Sequence, residues 1–231
     1  MKHKIIQAAT AALLAGMVPA AHAIPTLSFS VDGGPTITCA DGAVCDTNAS
    51  AGVVTFSQSL GDFVVNVSTG LSKPTLTTGA PLIDLNTVNV QVTGGAHTLQ
   101  IGFSDTGFDI YGGRITTDYG GTLNGIGASL DYSAYYDAGN TLFGQGTLIG
   151  GGSSGSGAYS GSADGGWSPN ADYSVTEILT LTTGGGMTVF SGDFSVNVPE
   201  PGTLALVGLA LLGFAAAYRR RVPARASASR P

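Results

Sequence analysis

Between Ile24 and Val198 the chain has almost no positive charge. Of nine Lys and Arg residues only Lys73 and Arg114 fall in this stretch, against fourteen of the fifteen acidic residues, a formal charge of −12. Such a surface repels nucleic-acid phosphates, which excludes nucleic acid as a partner. Histidine is equally scarce: the chain has His3, His22 and His97. Two cysteines, Cys39 and Cys45, fall short of the three or four sulfur and nitrogen ligands of a zinc centre. Tryptophan occurs once, at Trp167. Helical periodicity is missing from this stretch, and long apolar runs occur only at the two chain ends. Low Lys and Glu with 36 glycines suits a secreted β protein better than a cytosolic enzyme.

What is present is period-2 alternation. Phe63, Val65 and Val67 alternate with polar or outward positions, as do Val88, Val90 and Val92. The same holds for Leu99, Ile101 and Phe103, for Val175, Glu177, Leu179 and Leu181, and for Phe194, Val196 and Val198. These read as half-buried antiparallel strands. Gly94-Gly95, Gly112-Gly113, Gly120-Gly121 and Gly184-Gly185-Gly186 read as the turns between them. The predicted fold is all-β: an antiparallel β-sandwich, jelly-roll-like, over residues 24–198. The run from Gly144 to Gly166 reads as a flexible loop or as a glycine-rich strand pair.

The two ends read as targeting segments. Lys2 and Lys4, an apolar stretch from Ile5 to Val18, and Ala21-His22-Ala23 fit a secretory signal peptide over residues 1–23. Export to an oxidising compartment makes a Cys39–Cys45 disulfide the leading reading, stapling a hairpin tip around Asp41-Gly42. At the other end, Thr203 to Tyr218 carries no charge and would form about 24 Å of helix. This is a short transmembrane helix, 203–218, followed by Arg219, Arg220 and Arg221 as a cytoplasmic stop. Residues 222–231 read as a disordered cytoplasmic tail.

Val198-Pro199-Glu200-Pro201-Gly202, the short apolar helix and the arginine cluster together resemble the PEP-CTERM protein-sorting signal of Gram-negative bacteria, over residues 199–221. The resemblance implies Pro199, Glu200 and Pro201 as the recognised residues and Arg219 to Arg221 as the stop. It implies an exosortase, a membrane transpeptidase, as the processing partner. It also implies transient inner-membrane anchoring, then delivery to the cell surface or extracellular polysaccharide. The tail beyond Arg221 is longer than the pattern requires.

Candidate chemistry in the cargo is thin. Gly151-Gly152-Ser153-Ser154-Gly155 fits G-x-S-x-G, but no histidine follows Ser153 and no α/β alternation surrounds it. Asp105 and Asp109 put two carboxylates around a turn, and Asp131 and Asp137 flank the aromatic stretch of Tyr132, Tyr135 and Tyr136. Oxygen-rich turns of this kind can hold calcium, although the spacing matches no calcium motif. No other cofactor is implied. Tyr111, Tyr119, Tyr132, Tyr135, Tyr136, Tyr159, Trp167 and Tyr173 would stack on sugar rings if they shared an exposed face; otherwise they are ordinary strand aromatics. The reading is therefore a non-enzymatic surface or extracellular-matrix protein with a structural or interaction role in a biofilm. A carbohydrate-binding module or adhesin is the alternative, and a secreted hydrolase ranks last.

Overall fold

The computed structural model describes residues 24–76, 81–111, 114–166, 168–198 and 211–212. The signal peptide, Trp167, Pro199 to Pro201 and Arg219 to Arg221 lie outside the described residues, as does the 203–218 span apart from the exposed Leu211 and Leu212. Among the described residues no helix is long and apolar enough to cross a membrane.

Twelve strands are found among the described residues: β1 (Thr26–Val31), β2 (Ile37–Ala40), β3 (Val53–Leu60), β4 (Phe63–Leu71), β5 (Ile83–Val92), β6 (Thr98–Phe108), β7 (Ile115–Asn124), β8 (Ser129–Asp137), β9 (Thr147–Gly155), β10 (Gly157–Gly165), β11 (Tyr173–Thr182) and β12 (Thr188–Asn197). They form two six-stranded sheets, in the order β2-β1-β6-β11-β8-β9 and β10-β7-β12-β5-β4-β3. Every described pairing is antiparallel. The alternation in the sequence is what makes this work. Leu99, Ile101 and Phe103 of β6, and Phe190, Phe194 and Val196 of β12, all turn inward and are buried. Each such side chain contributes about 1.5–3 kcal/mol of burial.

The sheets meet face to face over one core. Phe29 of the first sheet stacks on Phe56 of the second, with ring centroids 4.2 Å apart. Tyr132 of the first sheet lies 4.9 Å from Phe194 and 5.5 Å from Tyr119 of the second. A buried carboxyl sits in this core. Glu177 shares the inward parity of Val175 and Leu179 and is fully buried. Its Oε1 accepts from the Tyr132 hydroxyl at 2.9 Å, and Tyr132 also bonds Thr117. Glu177 Oε2 meets no hydrogen-bond partner among the described residues. Burial drives the Glu177 carboxyl well above its usual range.

Two sequence expectations need correction. Gly120-Gly121 is not a turn but lies inside β7. A Cβ on Gly121 would stand 2.2 Å from the Ser191 carbonyl oxygen, so the neighbouring backbone, not a bend, demands glycine there. The bridge Cys39–Cys45 forms, but it does not staple a hairpin tip. Cys39 lies in β2 and Cys45 in the irregular segment before β3, so the bridge ties a loop to a strand end.

The glycine-rich run beyond Gly144 is mostly strand. β9 and β10 are edge strands of opposite sheets and approach each other closely. A Cβ on Gly152 would fall 1.9 Å from the Tyr119 hydroxyl, and one on Gly165 would fall 2.2 Å from the Ile149 carbonyl oxygen. Glycine is the residue that lets the two sheets close along this side.

Candidate functional site

The strand directions place the chain's exit. β12 runs toward the same end of the sandwich as the start of β5, where the Leu82 amide donates to the Val196 carbonyl at 2.7 Å. Val198 is still buried there. The folded cargo is therefore packed up to Val198, the residue before Pro199.

Beside that exit lies a cavity of about 350 Å³ lined by Pro74, Leu76, Pro81, Leu82, Phe108 and Ile110, with Lys73 and Asp109 as its charged members. Its lower wall is an ion pair between the sheets. Lys73 follows β4 in the second sheet, and Asp105 lies in β6 of the first. Lys73 Nζ is 3.0 Å from Asp105 Oδ2, donates to the Thr106 carbonyl, and sits 4.0 Å over the Phe108 ring. Asp105 is fully buried. Ser72 Oγ also donates to Oδ2 at 2.6 Å and the Thr106 amide to Oδ1 at 2.8 Å, so both carboxyl oxygens are partnered. Ser72 Oγ and Lys73 Nζ thus share one oxygen of Asp105.

The carboxylates paired in the sequence do not act together. Asp105 is locked in the ion pair, while Asp109 stands at the cavity rim. Asp131 is exposed on β8, and Asp137 caps its own loop by accepting from the Gly139 and Thr141 amides, each at 3.2 Å. The fold pairs two others. Asp84 of β5 and Asp193 of β12 lie side by side on the outer face of the second sheet and share a hydrogen bond. Partial burial, then the Asp193 charge and that shared bond, push Asp84 up to about 7. Their common outward parity on strands that pair was the one signal for this, and the pairing itself is not written in the sequence. Next to them runs a shallow groove of about 230 Å³ over Gly120, Gly121 and Gly192, edged by Asn86, Thr122, Ser191 and Asp193.

Among the described residues no group of three or more His, Cys, Asp or Glu stands where it could hold a metal ion. Ser153 lies in the middle of β9, with no strand-to-helix elbow. The tyrosines do not share one exposed face. Tyr132, Tyr136 and Tyr173 are buried, Tyr119 and Tyr159 pack against the core, and Tyr111 is exposed with its hydroxyl on Asp172 at 2.7 Å.

Fold and exit together describe a β-sandwich cargo running directly into a C-terminal signal. Residues 197–221 match the PEP-CTERM protein-sorting motif, so the chain is a PEP-CTERM sorting-signal protein. The match starts at Asn197, the last residue of β12. Among curated proteins none matches the chain. Among solved structures, TmCBM61 in complex with beta-1,4-galactotriose is similar at 7% identity, covering 63% of this chain and 86% of that one, with a TM-score of 0.36. The enzymatically active domain of bacteriophage CBA120 tailspike protein 4 is similar at 14% identity, over 74% of this chain and 19% of that one, TM-score 0.29. A chain of infectious bursal disease virus, Gx strain, is similar at 12% identity, over 80% and 58%, TM-score 0.31. Likenesses this distant add nothing to the strand order.

Proposed function

We propose that this is an exported, non-enzymatic protein whose β domain is delivered through its PEP-CTERM signal to the cell surface or extracellular polysaccharide of a Gram-negative bacterium. The observation that carries this is the sorting motif at residues 197–221, which takes over where the last strand of the sandwich ends. In this reading residues 1–23 are removed on export, residues 24–198 are the cargo, and 203–218 holds the chain in the inner membrane. Residues 222–231 stay in the cytoplasm. An exosortase-like transpeptidase then acts near Pro199, Glu200 and Pro201, with Arg219 to Arg221 as the stop. The role at the destination is structural or interactive, as a component of a biofilm matrix.

The cargo itself reads as a jelly roll. From β5 to β12 the chain alternates between the sheets at every step except the β8–β9 hairpin, giving β5-β12-β7-β10 facing β6-β11-β8-β9. β1–β2 and β3–β4 extend the two sheets on one side. This supports an eight-stranded double Greek key with two added hairpins. The second reading, carbohydrate binding, is favoured by the shallow, glycine-floored groove beside Asp193.

Intact mass of the protein recovered from the cell surface and medium of its native host tests the sorting. The expected species starts at Ile24 and ends near Pro199 to Pro201. A chain still carrying Thr203 to Arg221 sinks the processing step and leaves a plain anchor.

A further inference from the structure

The end of the sandwich opposite the sorting motif is built from turns, and one histidine joins three of their elements. Asp32 is the first residue of the β1–β2 turn, Asp62 lies in the β3–β4 turn, and His97 closes the connection from β5 to β6. His97 Nδ1 is 2.8 Å from Asp32 Oδ2, and His97 Nε2 is 3.0 Å from Asp62 Oδ2. Asp32 belongs to the first sheet and Asp62 to the second, so the imidazole bridges the two sheets.

The geometry fixes the protonation state. A neutral imidazole has one N–H and one lone pair; only the imidazolium donates from both nitrogens. With a carboxylate oxygen at each nitrogen, the neutral ring would leave one lone pair facing an anion. The backbone that carries the ring is held on the β11–β12 turn. The His97 amide donates to Thr183 Oγ1 at 3.0 Å, and the Thr183 amide donates to the His97 carbonyl at 2.8 Å. Asp32 is anchored in turn, since its Oδ1 accepts the Thr98 amide at 2.8 Å and its own amide donates to the Thr98 carbonyl at 2.8 Å. The Phe63 ring stands edge-on to the imidazole at 6.2 Å.

We propose that His97 is a pH-responsive clamp that holds the turn-built end of the sandwich closed while protonated and releases it when the proton leaves. The charges facing it among the described residues are Asp32 and Asp62. The β11–β12 turn packed against it presents Thr183 and glycines, and β4 presents Phe63, so those elements add no titratable group.

The direction of the effect follows. The Asp32 hydrogen bond, reinforced by the charges of Asp32 and Asp62, raises His97 above its ordinary 6.5 despite some desolvation. A raised folded-state value means the contribution is complete below 6.5 and is lost as the pH climbs through the raised value. On the acid side, the Thr98 amide and His97 hold Asp32 below its ordinary 3.8. That contribution is complete above 3.8 and disappears as the pH falls through the lowered value. The clamp is therefore closed between the lowered value of Asp32 and the raised value of His97, and opens as the pH climbs past the latter. An exported chain meets the pH of its surroundings directly, and His97 is the single group in the cargo whose ordinary range brings it there.

The test is a histidine-ring NMR titration of the full chain in detergent micelles, with H97Q identifying the His97 signal among the three histidines. The expected result is a His97 midpoint above 6.5, with the amides of Gly33, Asp62 and Gly95 moving at the same midpoint. D62N, at an exposed carboxylate, should lower that midpoint while leaving the fold intact, and D32N should lower it further. If D32N does not fold, D62N alone decides. A midpoint at or below 6.5, a D62N midpoint unchanged, or turn amides that do not follow the ring would each overturn the clamp.

Discussion

The two long sides of the sandwich are closed in opposite ways. On one side β9 and β10 bring backbone against backbone, with glycine facing inward and Tyr119 filling what room is left. On the other, the edges β2 and β3 stay apart, and the gap is filled by large rings and a covering loop. Phe29 and Phe56 stack across it, and the Cys39–Cys45 bridge holds the loop that follows β2. That loop is tied to β3 by Asp46, which accepts the Thr55 amide at 2.9 Å, and by Thr47, whose amide donates to the Thr55 carbonyl at 2.9 Å. Asp41 adds a bond from the Gly52 amide at 2.7 Å. Both devices hide strand edges that would otherwise pair with other chains. One does it by removing side chains, the other by adding them, so the two sides should respond to opposite kinds of substitution.

Truncation on the ring side should cost most. Phe56→Ala removes a fully buried ring and its partner's stacking contact, and should destabilise the domain by about 4 kcal/mol. Urea unfolding followed by tyrosine fluorescence measures it. Enlargement on the glycine side should cost nearly as much. Gly165→Ala sets a methyl against the Ile149 carbonyl, which cannot rotate aside, at about 3 kcal/mol. Gly155→Ala, with nothing within 4 Å of the added methyl, should stay within about 0.5 kcal/mol. If both glycine variants behave alike in the same denaturation assay, close approach is not what selects glycine. The smallest of the main effects belongs to the bridge. Cys39→Ala with Cys45→Ala opens a loop of six-residue separation, for which chain entropy gives about 2 kcal/mol. A loss of that size with an unchanged denaturant slope is what release of the unfolded chain alone predicts; a larger loss would mean that the folded loop also gives way.

These sides also mark how far the sequence could be read. The inward parity of Leu99, Ile101 and Phe103, and of Phe194 and Val196, made the strands legible because burial on one face writes itself at period two. Glu177 obeyed that parity but contradicted its chemistry, and only the structure shows Tyr132 waiting for it. The glycine run was ambiguous because strand propensity lives in side chains, and β9 and β10 have few. Their strand character comes from partners far away in the chain. The sorting signal was legible as a motif, because its physics is local: a turn, an apolar run and a charge block. Asp84 with Asp193, and His97 between Asp32 and Asp62, were not legible, since each joins residues brought together only by sheet order and turns.

β12 has one more property that follows from its place in the second sheet. It is an interior strand, laddered to β7 along one flank and to β5 along the other. A pull on the segment after Val198 enters the domain along the axis of this strand, at right angles to hydrogen bonds on both flanks. Such a load shears two ladders at once instead of unzipping an edge one bond at a time. A pull applied through the C-terminal segment would thus be met by both ladders together.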